Sequence, residues 1–205
     1  MTAATRVRRL WLVRHGETEG QSSIRFHGSN DVRLSDLGRA QIRALAPLLA
    51  GVDFVRIVHS PLQRAAESAA ILAAACGVPA GRLVAEERLR EINFGACEGM
   101  TEQEIAAAFP EFWQRYRGGG GDTFPEGEPR SAFVARVRAA VEDVAREAWQ
   151  GDLLVVSHRG TTRQALRALL GAKPGEPDPY GVELGSVSTL RDEGGWRLEA
   201  LGLVP

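Results

Sequence analysis

The chain has 205 residues, 44% of them hydrophobic and 25% charged, proportions of a globular domain and not of a disordered chain. Its 25 basic and 26 acidic side chains leave a net charge of −1, which argues against nucleic acid or a membrane surface as partner while leaving room for a local basic pocket. Cys76 and Cys97 come without CxxC or repeated Cys/His spacing, which excludes a disulfide framework and a zinc site, and no apolar run approaches the roughly 18–20 residues of a membrane span. The opening MTAATRVRRL has no long apolar segment behind its basic residues. It does not read as a secretory signal, and a cytoplasmic protein with reduced thiols is expected.

In chain order, RLWLVR at 9–14 is a short apolar run ending abruptly in HG, the pattern of a buried strand feeding a tight turn. Residues 16–34 read as a loop. A Ser/Asp cap signal opens a helix over 35–50, with Leu37, Ile42, Leu45, Leu48 and Leu49 at helical spacing and Pro47 as a kink. A second strand is predicted at 54–58, then a helix from Leu62 to Cys76 stopped by Gly77, then a short strand over 82–86. Residues 87–100 behave as a loop. Thr101 with Glu104 forms a capping box for a helix over 101–117. The run GGGG at 118–121 lacks the GK[ST] of a Walker loop, so 118–129 reads as a surface segment or a substrate gate. Helix 130–149, strand 152–157, helix 160–170 and a proline-bearing loop over 172–181 follow. Two strands around DEGG complete the chain over 186–204. Strands alternating with helices predict a three-layer α/β/α fold, its sheet mostly parallel with an antiparallel C-terminal edge. One domain over 1–205 is expected, with a loop and helix cap at about 93–129.

The chemistry concentrates where strands end. Arg14-His15-Gly16 and His158-Arg159-Gly160 each follow a strong strand, and Arg64 opens the helix after a third. In open α/β sheets ligands bind outside the carboxyl ends of the strands. His15, Arg14, His158 and Arg64 are thereby directed to one rim, an anion pocket in which planar guanidinium forks suit phosphate. A neutral imidazole can attack phosphorus, and the flanking arginines disfavour its protonated form. The leaving alkoxide needs a proton donor. Glu91 is the candidate, with Glu98, Glu86 and Glu87 as rivals. Nothing in the pattern calls for a metal or another cofactor.

Five ordered segments carry a family resemblance: LVRHGET at 12–18, RFHG with LSDLGRAQ at 25–28 and 34–41, HSPLQRA at 59–65, LREINFGACEG at 89–99 and VVSHRG at 155–160. The chain resembles the histidine phosphatase superfamily, the phosphoglycerate mutase-like family, over almost its whole length. The resemblance implies that His15 is the phosphorylated nucleophile. Arg14, Arg64 and His158 would bind the transferring phosphoryl group, and Glu91 would be the general acid and later the base. Thr18, Arg25 and Gly160 are further candidates for phosphate or substrate contact. Four positions depart from the family pattern. Gln21 stands where asparagine is common, Cys97 replaces a tryptophan and so thins a wall, Arg159 replaces a glycine and adds charge at the rim, and His59 replaces a small residue. Implied is a phosphomonoester hydrolase of the histidine acid phosphatase type, acting on a small-molecule phosphate ester through a phosphohistidine. A cofactor-dependent phosphoglycerate mutase and a non-catalytic phosphate-binding module are the alternatives. Specificity would be set by the loops at 20–33, 93–129 and 172–185. Monomer and homodimer both remain open.

Overall fold

A computed structural model describes residues 8–120, 123–147, 151–173, 176 and 178–205. Parts of four expectations lie outside the described residues: the N-terminal stretch 1–7, residues 121–122 of the glycine run, the helix end at 148–149, and residues 174, 175 and 177 of the proline-bearing loop.

The apolar runs form a six-stranded sheet: β1 (Arg9–Arg14), β2 (Phe54–His59), β3 (Leu83–Ala85), β4 (Asp152–Ser157), β5 (Val187–Asp192) and β6 (Trp196–Leu203). Its order is β3-β2-β4-β1-β5-β6. The first four strands are mutually parallel, and the β5–β6 hairpin joins antiparallel to β1. The expected mixed sheet with an antiparallel C-terminal edge is therefore what the chain forms.

Alternation along the central strands assigns one set of side chains to each face. Leu10, Leu12, Leu153 and Val155 pack with Val137, Val141, Ala165 and Leu166, which come from helices α5 (Arg130–Arg146) and α6 (Arg159–Leu169). On the other face Val13, Leu154 and Val156 meet Ile42, Ala65, Ala69 and Leu72 from α1 (Asp36–Ala44) and α2 (Gln63–Cys76). Because β4 is covered on both sides, all six of its residues are buried, and it reads as a continuous apolar run and not as an alternating one.

Three element boundaries differ from expectation, two of them at prolines. The helix expected over 35–50 ends at Ala44. A 3₁₀ turn, Ala46–Leu49, follows with Pro47 inside it, and Leu37 and Leu48 are exposed. The helix expected over 101–117 is two, α3 (Glu102–Ala108) and α4 (Pro110–Arg117). Pro110 has no N–H and disfavours helical dihedrals at the residue before it, and Phe109 sits at φ −133°. The third expected strand shortens to Leu83–Ala85 at the sheet edge. The capping box of Thr101 and Glu104 is present. Residues 94–124 build a separate apolar cluster, in which Cys97, Ile105, Phe112 and Phe124 are buried.

The loop after β1 lies directly on the first turn of α1. A Cβ on Gly38 would fall 1.9 Å from the Glu17 carbonyl oxygen, and one on Gly16 would fall 2.3 Å from the Gly38 carbonyl oxygen. In a free helix Gly→Ala is stabilising by about 1 kcal/mol. Here Gly38→Ala is expected to destabilise by about 1–3 kcal/mol through overpacking, lowering Tm by about 2–4 °C per kcal/mol. A variant melting at or above the wild-type temperature in calorimetry contradicts this close approach.

Candidate active site

Register brings three strand ends together. Arg14 pairs with Ser157 across β1 and β4, and His59 with Val156 across β2 and β4. The residues just beyond continue the ladder, with His15 N donating to the Ser157 carbonyl at 3.0 Å and Ser60 N to the Val156 carbonyl at 3.0 Å. His15, Ser60 and His158 thus share one rim, and the two imidazole rings stand 5.1 Å apart, tilted by 63°. From the start of α2, Arg64 donates through Nε to His158 Nδ1 at 3.2 Å. That bond leaves the hydrogen of a neutral His158 on Nε2, from which it is donated to Ser60 Oγ at 2.8 Å. His15 donates Nδ1–H to the Gly16 carbonyl at 2.7 Å, which leaves the ring's lone pair on Nε2.

Burial dominates the electrostatics. It holds both imidazoles well below the ordinary histidine range, with Arg64 and Arg14 adding to the effect. It also lowers the Arg14 and Arg64 guanidiniums to about 10, so both stay charged near neutral pH. Glu91 is pushed above the usual carboxylate range by burial. The backbone N–H groups of Gly160 and Ile92 and the charges of Arg64 and Arg14 pull the other way. Its carboxyl accepts from Gly160 N at 2.7 Å and Ile92 N at 3.0 Å. A Cβ on Gly160 would reach within 2.5 Å of Glu91 Oε1, so this approach requires glycine.

Beside this group opens a cavity of about 600 Å³ with Arg14, Glu91 and Gly160 in its lining. Its apolar wall comes from Phe26, Phe94, Trp113 and Phe124, four rings in edge-on or tilted contact. Arg25 and Arg159 also line it, and Arg25 ties the loop to the cap through the Gly99 carbonyl at 2.7 Å and Glu104 at 2.8 Å.

Several sequence expectations need correction. Gln21 is exposed, takes φ +59° and does not line the cavity. Thr18 is buried and braces its own loop, its hydroxyl 2.8 Å from that of Ser22. His59 lies outside the cavity lining, with Nδ1 on the Ser60 carbonyl at 2.9 Å. Cys97 does not thin a cavity wall, because it packs wholly buried in the aromatic cluster while the phenylalanines and Trp113 supply the wall. The rivals of Glu91 are engaged elsewhere. Glu86 grips Arg88 at 2.7 Å, Glu87 faces Arg90 at 3.6 Å, and Glu98 accepts from the backbone N–H of Gly28, Ser29, Asn30 and Phe94. Two residues went unanticipated. Ser60 was visible as the first residue past β2. Arg136, which donates to the carbonyls of Arg88, Arg90 and Glu91 at 2.7–3.0 Å and pairs with Glu128, reads in sequence as an ordinary helix-surface charge.

The model of the histidine phosphatase superfamily (branch 1) matches residues 10–203. The chain belongs to that superfamily. It is 32% identical to a probable phosphoglycerate mutase of Yersinia enterocolitica over 80% of this chain and 76% of the relative. With phosphoserine phosphatase 1 of Hydrogenobacter thermophilus it shares 31% identity over 90% of this chain and 87% of the relative. The native structure of a mycobacterial glucosyl-3-phosphoglycerate phosphatase superposes with a TM-score of 0.82 and 29% identity, covering 96% of this chain and 99% of that one. Three longer mycobacterial relatives are matched over 49% of their length. The chain is an enzyme of the histidine phosphatase superfamily, and the phosphatases among its relatives support a phosphatase reading. Among the described residues no helix is long and apolar enough to cross a membrane.

The buried imidazoles make folding stability depend on pH. Below about 6.5 an unfolded histidine takes up a proton that the folded His15 and His158 refuse, so stability falls with pH by about 1.4 kcal/mol per unit for each. Glu91 acts oppositely. Its folded carboxyl binds a proton at a pH where the unfolded one, near 4.3, does not, which offsets one histidine as pH drops through that window. In urea unfolding from pH 7 down to 4, His15→Gln is expected to flatten the stability loss, and Glu91→Gln to remove the gain its raised carboxyl contributes as pH approaches the ordinary carboxylate range. Parallel curves for both variants and the wild type contradict the assigned charge states.

Proposed function

We propose that the chain is a phosphomonoester hydrolase of the histidine acid phosphatase type, acting on a small phosphorylated metabolite through phosphorylated His15. The observation that carries this reading is the pairing of opposite protonation states in one site: a buried neutral imidazole with a free Nε2 lone pair and a buried carboxyl held toward its acid form. The two are what a nucleophile and a general acid require. The residues 1–205 would act as one domain capped by 93–129. A cytoplasmic setting suits the two free thiols of Cys76 and Cys97.

In the first step His15 Nε2 attacks phosphorus, the bond to the ester oxygen breaks, and the departing alkoxide takes the proton of the Glu91 carboxyl. Arg14, Arg64 and His158 hold the charge on the transferring group. Arg14 keeps a buried Nε that has no hydrogen-bond partner among the described residues, a donor without an acceptor beside an anion pocket. In the second step water attacks phosphorus, Glu91 carboxylate takes its proton, the N–P bond breaks and inorganic phosphate leaves. Neither step draws on a metal ion. Gly160 serves the acid by positioning it, and Arg25 and Arg159 stand toward the substrate body.

His15→Ala is expected to lower kcat/KM by about 10³-fold or more with the fold retained by circular dichroism. Acid-labile, base-stable phosphate should be trapped on His15 of the wild type, and EDTA should leave the rate unchanged. Glu91→Gln is expected to slow alkyl esters by about 10²-fold or more and activated aryl esters much less. Phosphate recovered on Ser60 or Thr161 would sink the mechanism, and equal slowing of both ester classes would remove Glu91 from the acid role.

The mutase among the relatives makes transfer back to substrate the second reading. A mutase must shield its phosphohistidine from water, and only residues 65–157 separate Arg64 from His158 here, part of them a glycine run. Hydrolysis is therefore expected to dominate. Incubation with 3-phosphoglycerate and catalytic 2,3-bisphosphoglycerate, beside a generic phosphomonoester, decides the matter. Fast isomerisation with negligible phosphate release from the generic ester overturns the phosphatase reading.

A further inference from the structure

Glu91 sits on a segment with no strand ladder of its own, since residues 90–94 belong to no helix or strand. The N–H groups of Gly160 and Ile92 orient its carboxyl, but Ile92 lies on the same segment and cannot place it. Placement comes from α5. Arg136 donates through Nη1 to the carbonyls of Arg88 and Arg90 at 2.8 and 2.7 Å, and through Nη2 to that of Glu91 at 3.0 Å. Its other two hydrogens go to Glu128, from Nε at 2.7 Å and from Nη2 at 2.8 Å. Every N–H of the guanidinium fork is thereby engaged.

The grip extends to both sides of Glu91. Glu128 N donates to the Asn93 carbonyl at 2.9 Å, and Glu128 Oε2 accepts from Asn93 N at 3.4 Å. Thr161 of α6 adds a bond from Oγ1 to the Arg90 carbonyl at 3.2 Å. The guanidinium also lies over the Phe133 ring, 4.9 Å from its centroid, a contact that favours one orientation of its plane. Phe133, Val137 and Ala140 of α5 are buried in the same cluster as Leu10 and Leu12 of β1, the strand that ends just before His15. One line of contacts thus runs from His15 through β1 and α5 to Arg136 and on to the backbone of Glu91. Arg136 does not line the cavity, so its route to the chemistry passes through Glu91.

We propose that Arg136, held by Glu128, is the positioning residue of the general acid, fixing the Glu91 carboxyl at the distance from His15 at which it meets the leaving oxygen. This rests on the phosphatase reading and adds to it a residue outside the cavity. A proton donor acts only within hydrogen-bond reach of the atom it protonates, and a misplacement of about 1 Å costs about 10²-fold. Attack by His15 and the hold of Arg14, Arg64 and His158 on the phosphoryl group depend on other elements. Loss of Arg136 therefore falls on the proton delivered to the leaving group.

Leaving-group dependence separates this role from a merely structural one. The quantity read is kcat/KM for 4-nitrophenyl phosphate, whose phenolate leaves with little protonation, divided by kcat/KM for ethyl phosphate, whose ethoxide needs a proton. Loss of folded enzyme scales both rates alike and leaves the ratio unmoved. Arg136→Gln is expected to raise the ratio by about tenfold or more, and Glu128→Gln, which spares the carbonyl bonds, by about threefold or more. Arg136→Lys keeps the charge without the fork and should recover part of the loss. In a Glu91→Gln background, Arg136→Gln should leave the ratio where Glu91→Gln alone puts it, because the acid is already gone. A wild-type ratio in Arg136→Gln, or in Glu128→Gln should the first variant not fold, overturns the positioning role and leaves the phosphatase reading standing. A further rise in the Glu91→Gln background does the same. No phosphate release by the wild type from any ester, 4-nitrophenyl phosphate included, overturns both.

Discussion

A guanidinium with no exposed surface holds the site together. Arg64 leaves the first turn of α2 and donates to the carbonyls of Asn30, His27 and Gly28 at 2.7–3.0 Å and to His158. Glu98 grips the same stretch from its other polar side, accepting from the N–H groups of Gly28, Ser29 and Asn30. The segment 27–30 is thus clamped between a buried cation and an anion, the carbonyls of 27, 28 and 30 turned to one and the N–H groups of 28–30 to the other. Removing either partner leaves several backbone groups of the segment without a hydrogen bond, at about 1–3 kcal/mol for each one that is buried. The clamp ties the loop after β1, the start of α2, the end of β4 and the cap region into one body. Loops that would otherwise be the least ordered part of the fold become the walls of a site.

The same cation sets the chemistry. Arg64 and Arg14 sit close enough to His15 to oppose its protonation, and burial acts in the same direction. An imidazole kept neutral this way does not depend on a nearby base to free its lone pair. Glu91 feels the same two charges with the opposite consequence, since they favour its carboxylate, yet burial wins. Desolvation therefore favours the protonated Glu91 carboxyl, and desolvation plus repulsion favours the neutral His15 imidazole. A bound phosphate ester, being anionic, shifts the first balance further toward the protonated carboxyl.

Much of this was legible in the sequence, and what was not has identifiable physical reasons. Strands 9–14 and 152–157 announce themselves as apolar runs, and RHG and HRG mark their ends. That β4 inserts between β1 and β2 is a matter of non-local pairing, which no local pattern encodes. Pro110 is plain in the sequence, but the strong capping box before it and the periodicity across it favour one helix, where tertiary packing settles on two. The sequence marks Arg64 as a cation near the strand ends, but its carbonyl partners are invisible there because backbone acceptors carry no residue signature. Arg136 was missed for the same reason. A cysteine in place of a larger residue suggests open space at position 97, whereas the aromatic rings around it close that space.

The division of labour between core and cap follows from how each is built. His15 and His158 stand just past the ends of the central strands β1 and β4, whose side chains are locked between two helical layers and tolerate little displacement. The cavity's apolar wall hangs instead on a small aromatic cluster from 26, 94 and 112–124, which has its own packing and only modest contact with the main core. His15 is held by the register of β1 and β4, whereas Glu91 lies on the loop that also carries Phe94 of the wall. Substitutions in the cluster can therefore reshape the wall without moving His15.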